Sequence, residues 1–165
     1  MQTPLLFFNG TQAILIRLLN KNDCTLNDYK IYNKNNNYVG EIFKKEQFYK
    51  FLEKRKIDWK DHLSKKLLPD DSIFVVIKNT LYIIECKFQQ VAGSVDEKLQ
   101  TCDFKKKQYK KLLAPINIDV EYMYLLSDWF KKPCYKDVLD YIISVGCSYY
   151  FEYIPLEKLS LPVPK

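Results

Sequence analysis

Three acidic residues and one lysine lie at the ends of two neighbouring apolar segments of the sequence. Asp70 and Asp71 precede the segment 72–77, while Glu85 and Lys87 end the segment 81–87. Burying such groups unpaired is costly, and two carboxylates together favour a hard cation with oxygen ligands, Mg²⁺ above all. A lysine beside that cation can hold a water molecule or accept its proton. Carboxylates, metal, water and lysine together predict a site for phosphodiester hydrolysis.

The two apolar segments are rich in Ile, Val, Phe and Tyr, which predicts two β-strands joined by a tight hairpin. If residues 79–80 form the loop, Phe74 opposes Glu85 and Asp70 opposes Gln89.

Side chains alternate along a strand, so this register puts Asp70 on the same face as Glu85, Lys87 and Gln89. Asp71 then shares the other face with Cys86. An odd loop length would exchange the two aspartates. Asp70 is therefore the preferred partner of Glu85, with Asp71 as the alternative.

Pro69-Asp70, followed by Glu85-Cys86-Lys87 at the end of the next strand, resembles the PD-(D/E)XK nuclease superfamily, the fold of many type II restriction endonucleases. The resemblance implies that Asp70 and Glu85 bind Mg²⁺, for which Mn²⁺ can substitute. The backbone carbonyl of Cys86 is a further ligand in this hypothesis, and Lys87 activates the attacking water. Gln89 matches a glutamine that often follows the lysine by two positions. The resemblance covers roughly residues 39–130.

Two glutamates upstream are further hypotheses for the site. Val39 to about Arg55 has helical spacing of apolar residues, and Glu46 lies on that apolar stripe. In the nuclease family the first core helix often contributes a glutamate, which favours Glu46, with Glu41 second. An exposed Glu46 paired with Lys50 remains the alternative.

Other residues suit contacts with nucleic acid. Ser94 and Glu97 form a capping box, which predicts a helix from Val95 to about Leu113. The predicted DNA contacts are Ser94, Lys98, Lys105, Lys106 and Lys107 on this helix, and Asn35 and Asn36 in an asparagine-rich loop. The lysines also fit a solvated helix face, and the asparagines an ordinary loop.

The composition of the chain narrows the possible classes of protein. The chain has 165 residues and a formal net charge of +6, which is compatible with a polyanionic partner. Five scattered cysteines without a C-x-x-C pair favour a reducing, cytoplasmic location and argue against zinc. No apolar stretch approaches the length of a membrane span. The sequence contains neither a glycine-rich phosphate loop nor a Gly-x-Ser-x-Gly motif, which counts against kinases and serine hydrolases.

The predicted order of elements is helix, hairpin, capped helix, strand, helix, strand. That order predicts an α/β domain with a mixed central β-sheet flanked by helices, which is the restriction endonuclease-like core that the resemblance implies. We expect one nuclease domain over residues 1–165. Its parts are a helix at 12–20 and a loop at 20–38 within the appendage 1–38, the core 39–154 with a strand at 119–126, a helix at 135–145 and a strand at 147–154, and a loose tail 155–165.

The sequence therefore predicts a Mg²⁺-dependent DNA endonuclease, of the type II restriction kind. Double-strand cleavage by such an enzyme implies a homodimer or a partner subunit on double-stranded DNA. A structure-specific nuclease of the Holliday junction resolvase type is one alternative. A DNA-binding subunit without catalysis is the other, although a binding module has no need of the Asp, Glu and Lys set.

Overall fold

The strands that carry the predicted site belong to a seven-stranded mixed sheet. The computed structural model describes residues 5–7, 24–27, 30–33, 35–43, 45–69, 71–75, 78–89 and 95–161. In spatial order the sheet consists of β2 (Cys24–Asn27), β3 (Lys30–Asn33), β4 (Tyr38–Phe43), β5 (Asp71–Val75), β6 (Thr80–Lys87), β7 (Asp119–Leu126) and β8 (Ser148–Phe151). A separate pair is formed by β1 (Leu5–Phe7) and β9 (Tyr153–Pro155).

The sheet changes from antiparallel to parallel at β6. Strands β2 to β6 pair antiparallel, whereas β6 pairs parallel with β7, and β7 pairs parallel with β8. The carboxyl ends of β6, β7 and β8 therefore meet at one edge of the sheet. Glu85 and Lys87 lie at this edge, which we call the carboxyl edge.

The β5–β6 hairpin forms as predicted, but with another register. Phe74 pairs with Leu81 instead of Glu85, and Thr80 belongs to β6 instead of to the loop. Asn79 takes up the turn with a left-handed φ of 46°, which asparagine tolerates better than most residues. The predicted two-residue loop was wrong because Val75 already pairs with Thr80, so the connection is longer.

Three helices cover one face of the sheet. They are α1 (Glu46–Lys54), α3 (Cys102–Leu113) and α4 (Lys136–Ser144), and the short α2 (Val95–Leu99) precedes α3. Their buried side chains form one cluster with alternate residues of the central strands. Its members include Phe48, Leu52, Leu99, Tyr109, Leu112 and Ile142 from the helices, and Phe74, Leu81, Ile83, Tyr122, Tyr124 and Leu126 from the sheet.

The opposite face of the sheet is covered in part by the C-terminal segment. Leu156, Leu159 and Leu161 are buried there, and Leu156–Leu159 forms a 3-10 helix. They pack with Ile154 and with alternate residues of β4 to β7, including Ile84. The prediction of a loose tail from residue 155 is wrong for 156–161, because these leucines complete a second apolar core.

Residues 20–55 hold the largest errors of the sequence-based prediction. The loop predicted over 20–38 contains β2 and β3, and a turn between Asn33 and Asn37 precedes β4. The helix predicted from Val39 to Arg55 is a strand, β4, followed by α1. Pairing with β3 and β5 on either side makes 38–43 a strand, so tertiary contacts outweigh the helical spacing of its apolar residues.

The C-terminal half follows the prediction more closely. The strand at Asp119–Leu126 has the predicted bounds, and the predicted helix at 135–145 is α4, followed by Gly146 with a φ of 71°. The helix predicted over 95–113 is interrupted between α2 and α3, and the strand predicted over 147–154 divides at Glu152, whose φ is 61°. The predicted helix at 12–20 and Ser94 lie outside the described residues.

The α/β class with a mixed central sheet and flanking helices is confirmed. The order of elements along the chain differs from the prediction, because three strands of the large sheet, β2 to β4, precede the first described helix. Within the described part of the chain, every helix falls short of what a membrane-spanning helix needs in length and apolar character.

Gly40→Ala is expected to destabilise the protein by about 2–3 kcal/mol, because overpacking at a rigid position has costs of this order. A Cβ atom at Gly40 would lie 2.4 Å from the backbone carbonyl oxygen of Phe74 in the neighbouring strand. Gly146→Ala is the matched control: nothing lies within 4 Å of its Cβ position, and only its positive φ opposes the change. We expect a loss of about 1 kcal/mol there. Urea denaturation of both variants measures the difference, and equal losses would contradict the close approach at Gly40.

Candidate active site

Strand β6 carries the two predicted catalytic side chains on the face of the sheet that the helices cover. Leu81 and Ile83 lie in the helix-covered core, and alternation puts Glu85 and Lys87 next on the same face. Leu81 and Ile83 are fully buried, whereas the side chain of Glu85 is 7% exposed and that of Lys87 is 20% exposed. The apolar strand thus ends in a carboxylate and an ammonium at the boundary between core and solvent.

Strand β7 holds the end of β6 in place. Glu85 is aligned with Tyr124 and Lys87 with Leu126 in the parallel register. Beyond the last pair, the backbone N–H of Ser127 donates a hydrogen bond to the carbonyl of Lys87 at 3.1 Å.

Ser127 also fixes the chain two residues after the lysine. Its hydroxyl accepts a hydrogen bond from the backbone N–H of Gln89 and donates one to the Gln89 carbonyl, both at 3.3 Å. Gln89 is buried. The predicted glutamine therefore lies at the carboxyl edge, next to the pair Glu85 and Lys87.

Glu85 is the centre of a three-residue ionic cluster. The ammonium of Lys105 on α3 lies 2.9 and 3.0 Å from the two carboxylate oxygens of Glu85. The ammonium of Lys87 lies 3.1 Å from one of these oxygens. Two cations thus surround one buried carboxylate, which leaves the cluster with a net positive charge.

The two lysines keep Glu85 ionised. Burial raises the pKa of the Glu85 carboxyl, but the hydrogen bonds and charge of Lys105, together with the charge of Lys87, outweigh burial. The net result is a pKa below its ordinary value. A carboxylate that stays charged while largely buried is suited to hold a cation.

Glu85→Gln is expected to destabilise the protein at neutral pH and to have a smaller effect in acid. Because folding lowers the pKa of Glu85, the ionised carboxylate stabilises the folded state fully above the unfolded-state pKa of about 4.3. This stabilisation is lost as the pH falls through the lower, folded-state pKa. Urea denaturation of both proteins from about pH 7 to about pH 3 measures the difference in unfolding free energy. A difference that does not narrow in acid would contradict the ion pairs of Glu85.

Two buried tyrosines of β7 lie beside the ionic cluster. The hydroxyl of Tyr124 donates to the backbone carbonyls of Lys98 and Leu99, at 3.1 and 3.3 Å, and so ties β7 to the end of α2. The hydroxyl of Tyr122 is buried without a hydrogen-bond partner among the described residues. Burial, together with the charge of Glu85, raises the pKa of Tyr122, so this side chain remains a neutral phenol.

The first acidic residue of the predicted motif is Asp70, and the structure describes only residues that neighbour it in the chain. Asp70 lies outside the described residues. Asp71, the alternative ligand, is the first residue of β5, and its backbone pairs with Ile84. The side chain of Ile84 lies in the core on the opposite face of the sheet from Glu85. The side chain of Cys86 packs against that same core, while its backbone carbonyl remains the predicted further ligand.

Within the described part of the chain, neither Glu46 nor Glu41 forms a hydrogen bond or an ion pair with Glu85. Glu46, in the first turn of α1, is 63% exposed and pairs with Lys66 at 2.6 Å. It follows Lys45, whose backbone N–H donates to the carbonyl of Pro69 at 3.2 Å, so the start of α1 lies against the residue that precedes Asp70. Glu41 lines a cavity of about 190 Å³ between β4 and α1.

The three lysines of α3 that were predicted to contact DNA have different partners. Lys105 contacts Glu85, whereas Lys107 is exposed and pairs with Asp103 at 2.7 Å. Lys106 is buried: its ammonium lies 3.1 Å from Glu121 and donates to the carbonyl of Gly146 at 2.5 Å.

Three other predicted DNA contacts are exposed. Lys98 lies in α2, one residue before Leu99. Asn35 and Asn36 lie in the turn before β4, where the side chain of Asn33 accepts hydrogen bonds from the backbone N–H groups of Asn35 and Asn37. The turn thus presents two asparagine side chains to solvent.

The carboxyl edge suits a divalent metal in the type of its donors. Glu85 supplies carboxylate oxygens, which Mg²⁺ prefers, and the ammonium of Lys105 lies against both of them. Among the described residues, no group of three or more His, Cys, Asp or Glu side chains forms a complete set of ligands. A metal at Glu85 therefore needs a further oxygen ligand, and Asp70 is the predicted one.

Two features of the edge were not predicted from the sequence. The contact of Lys105 with Glu85 was missed because five lysines crowd residues 105–111, although the spacing of Lys105 from Cys102 and Tyr109 places it on the buried side of α3. The bridge from Ser127 to Gln89 depends on the parallel pairing of β6 with β7, which local sequence does not reveal.

The comparison with known proteins agrees with the resemblance in the sequence. The family model of the PD-(D/E)XK nuclease superfamily domain matches residues 36–111, just under half of the chain. The match runs from the turn before β4 to the end of α3 and includes the hairpin with Glu85 and Lys87. No curated protein and no solved structure gives a significant match to the chain. The sequence of residues 36–111 is thus similar to a PD-(D/E)XK nuclease superfamily domain.

Proposed function

We propose that the protein is a Mg²⁺-dependent DNA endonuclease, most closely a sequence-specific enzyme of the type II restriction kind. The observation that carries the proposal is the pair Glu85 and Lys87 at the end of β6, inside the segment that matches the nuclease family. The carboxylate of Glu85 is largely buried, lies between two ammonium groups and has a shifted pKa, which is typical of functional sites. The net charge of +6 suits a polyanionic substrate.

The proposed ligands of Mg²⁺ are Asp70, Glu85 and the backbone carbonyl of Cys86, and Mn²⁺ is the proposed substitute. Asp71 pairs with Ile84, and the residues next in sequence to this pair are Asp70 and Glu85. That relation favours Asp70 over Asp71. When bound, the metal supplies a charge that polarises the phosphate and acidifies a coordinated water.

The proposed roles of the other side chains follow from where they lie. Lys87, on the same face as Glu85, would orient the attacking water and activate it for in-line attack on phosphorus. Gln89, held by Ser127, would keep the backbone after Lys87 in place. Glu46 is proposed to join the site from α1, because the start of that helix lies against Pro69. The products expected of such a site carry a 5′-phosphate and a 3′-hydroxyl.

One such site cuts one strand, so we propose a homodimer or a partner subunit for double-strand cleavage. Lys98, Lys107, Asn35, Asn36 and Ser94 remain proposed contacts to DNA, whereas Lys106 is not kept among them because it is buried against Glu121 and Gly146. Exposed lysines would bind phosphates and position the duplex, whereas asparagines could read adenine in a groove.

The substrate class is tested by incubating the purified protein in Mg²⁺ with mixed-sequence plasmid, with genomic DNA and with a synthetic four-way junction. The proposal predicts discrete fragments from the linear and circular duplexes, with paired cuts at a recurring sequence. Cleavage restricted to the junction would replace the restriction type by a structure-specific nuclease. Binding to DNA without cleavage of any substrate would leave a DNA-binding subunit.

A further inference from the structure

Lys105 holds the carboxylate of Glu85 more closely than Lys87 does. It contacts both oxygens, at 2.9 and 3.0 Å, whereas Lys87 contacts one at 3.1 Å. Lys105 comes from a different element, α3, so this contact joins the helix layer to the end of β6. Its ammonium lies on the carboxylate of Glu85 in the place that suits a bound cation.

The position of Lys105 is set by the packing of its helix. Cys102, Tyr109 and Leu112 on the same side of α3 are fully or almost fully buried. Lys105 stands between them at helical spacing, and its side chain is 28% exposed. Anchored in this way, its ammonium can remain near Glu85 even when it does not touch the carboxylate.

A divalent metal and the ammonium of Lys105 compete for the oxygens of Glu85, because two cations on one carboxylate repel each other. From this competition we propose that Lys105 is a tethered cation, which neutralises Glu85 while no metal is bound and moves from the carboxylate to a DNA phosphate when metal and DNA bind. Lys105 is thus a positioning residue that links binding of the metal to binding of DNA. This inference rests on the proposed metal-dependent function.

In this proposal the ammonium of Lys105 has an anionic partner both before and after the metal binds. In the metal-free protein, Glu85 and Lys105 neutralise each other away from bulk water, which avoids the cost of an isolated buried charge. With a divalent cation on Glu85, Lys105 is repelled by the metal and needs a new anion. A DNA phosphate beside the metal supplies that anion, and an ammonium is a good phosphate ligand.

The first test measures the affinity of Mn²⁺ without DNA, by counting free Mn²⁺ with electron paramagnetic resonance. Lys105→Met removes the competing charge but keeps much of the side-chain volume. We expect it to bind Mn²⁺ at least about tenfold more tightly than the wild type, within the usual range of coupling between sites. Lys105→Arg retains the competing cation and should not bind Mn²⁺ more tightly. Lys110→Met, an exposed lysine on the same helix, is the matched control and should leave the affinity unchanged.

The second test measures the affinity for a mixed-sequence DNA duplex, by fluorescence anisotropy, in EDTA and in Ca²⁺. Lys105→Met should weaken DNA binding at least about fivefold in Ca²⁺ and much less in EDTA, where Lys105 is engaged by Glu85. Lys110→Met should have the same effect in both conditions, because its exposed ammonium is independent of the metal.

The outcomes separate this inference from the proposed function. Tighter Mn²⁺ binding and a Ca²⁺-dependent loss of DNA affinity in Lys105→Met support the tethered cation. If the wild type binds Mn²⁺ and cleaves DNA but Lys105→Met binds Mn²⁺ equally or more weakly, Lys105 only supports the structure and the inference is overturned. If the wild type binds no divalent metal, the proposed metal-dependent function fails as well.

Discussion

Lys87→Met is expected to reduce the rate of DNA cleavage in Mg²⁺ by about 10³-fold, within the range typical of groups that assist proton transfer. The side chain of Lys87 lies 3.1 Å from Glu85 on the same face of β6, where it can reach a water bound beside that carboxylate. Methionine keeps much of the volume but neither holds nor orients the water. Single-turnover cleavage at saturating DNA and Mg²⁺ isolates this effect from binding.

Two measurements make the result of Lys87→Met interpretable. Its affinity for Mn²⁺ should not fall, because the substitution removes a positive charge next to Glu85. Lys110→Met, at an exposed position of α3, should cleave within a fewfold of the wild-type rate. A folded Lys87→Met protein that cleaves within about tenfold of the wild type would rule out the proposed role of Lys87, since tenfold is below what such groups contribute.

Asp70→Asn is expected to abolish metal binding and to lower cleavage by at least about 10³-fold, because a bound metal supplies several kcal/mol of transition-state stabilisation. Asp71→Asn is expected to retain both. The basis is the observed register: Asp71 pairs with Ile84, whose side chain lies on the opposite face of the sheet from Glu85. The two substitutions change neighbouring residues in the same way, so each is the control for the other.

The measurements are Mn²⁺ titration and single-turnover cleavage of both aspartate variants. Loss of metal binding in Asp71→Asn, with Asp70→Asn unaffected, would reverse the assignment of the ligand. Loss in both would show that the two carboxylates act together. Full activity in both would remove the first half of the motif from the site.

The choice between the two aspartates shows what a strand pattern can and cannot determine. The predicted partner of Phe74 was four residues away from the observed one, Leu81. An even shift moves no side chain to the other face, so the prediction that Phe74 and Glu85 share a face is confirmed although the register was wrong. Register depends on the length of the loop, which the sequence around Asn79 does not define.

Local patterns predicted best the elements whose contacts are also local. The strand at 119–126 and α4 have strong apolar patterns and clear ends, and both were predicted closely. The strands before residue 44 were missed because β2 and β3 are short, and because β4 is a strand only through its pairing on both sides. Pairing of this kind is not visible in a short window of sequence.

The residues of the candidate site also differ in how far the sequence predicts them. The sequence predicts Glu85 and Lys87 as site residues, since they end one strand at a spacing of two. Lys105 reaches Glu85 from a helix 20 residues later in the chain. The helical spacing from Cys102 and Tyr109 places Lys105 on the buried side of α3, but its contact with Glu85 follows only from the packing of α3 in the fold.

The carboxyl edge around Glu85 is the proposed metal-dependent nuclease site. The most direct test incubates supercoiled plasmid with wild-type protein in Mg²⁺, in EDTA, and with the Glu85→Gln variant in Mg²⁺, each at a temperature where the protein is folded. We predict nicked and linear plasmid from the wild type in Mg²⁺ only. Cleavage by folded Glu85→Gln at the wild-type rate, or cleavage that persists in EDTA, would contradict this proposal.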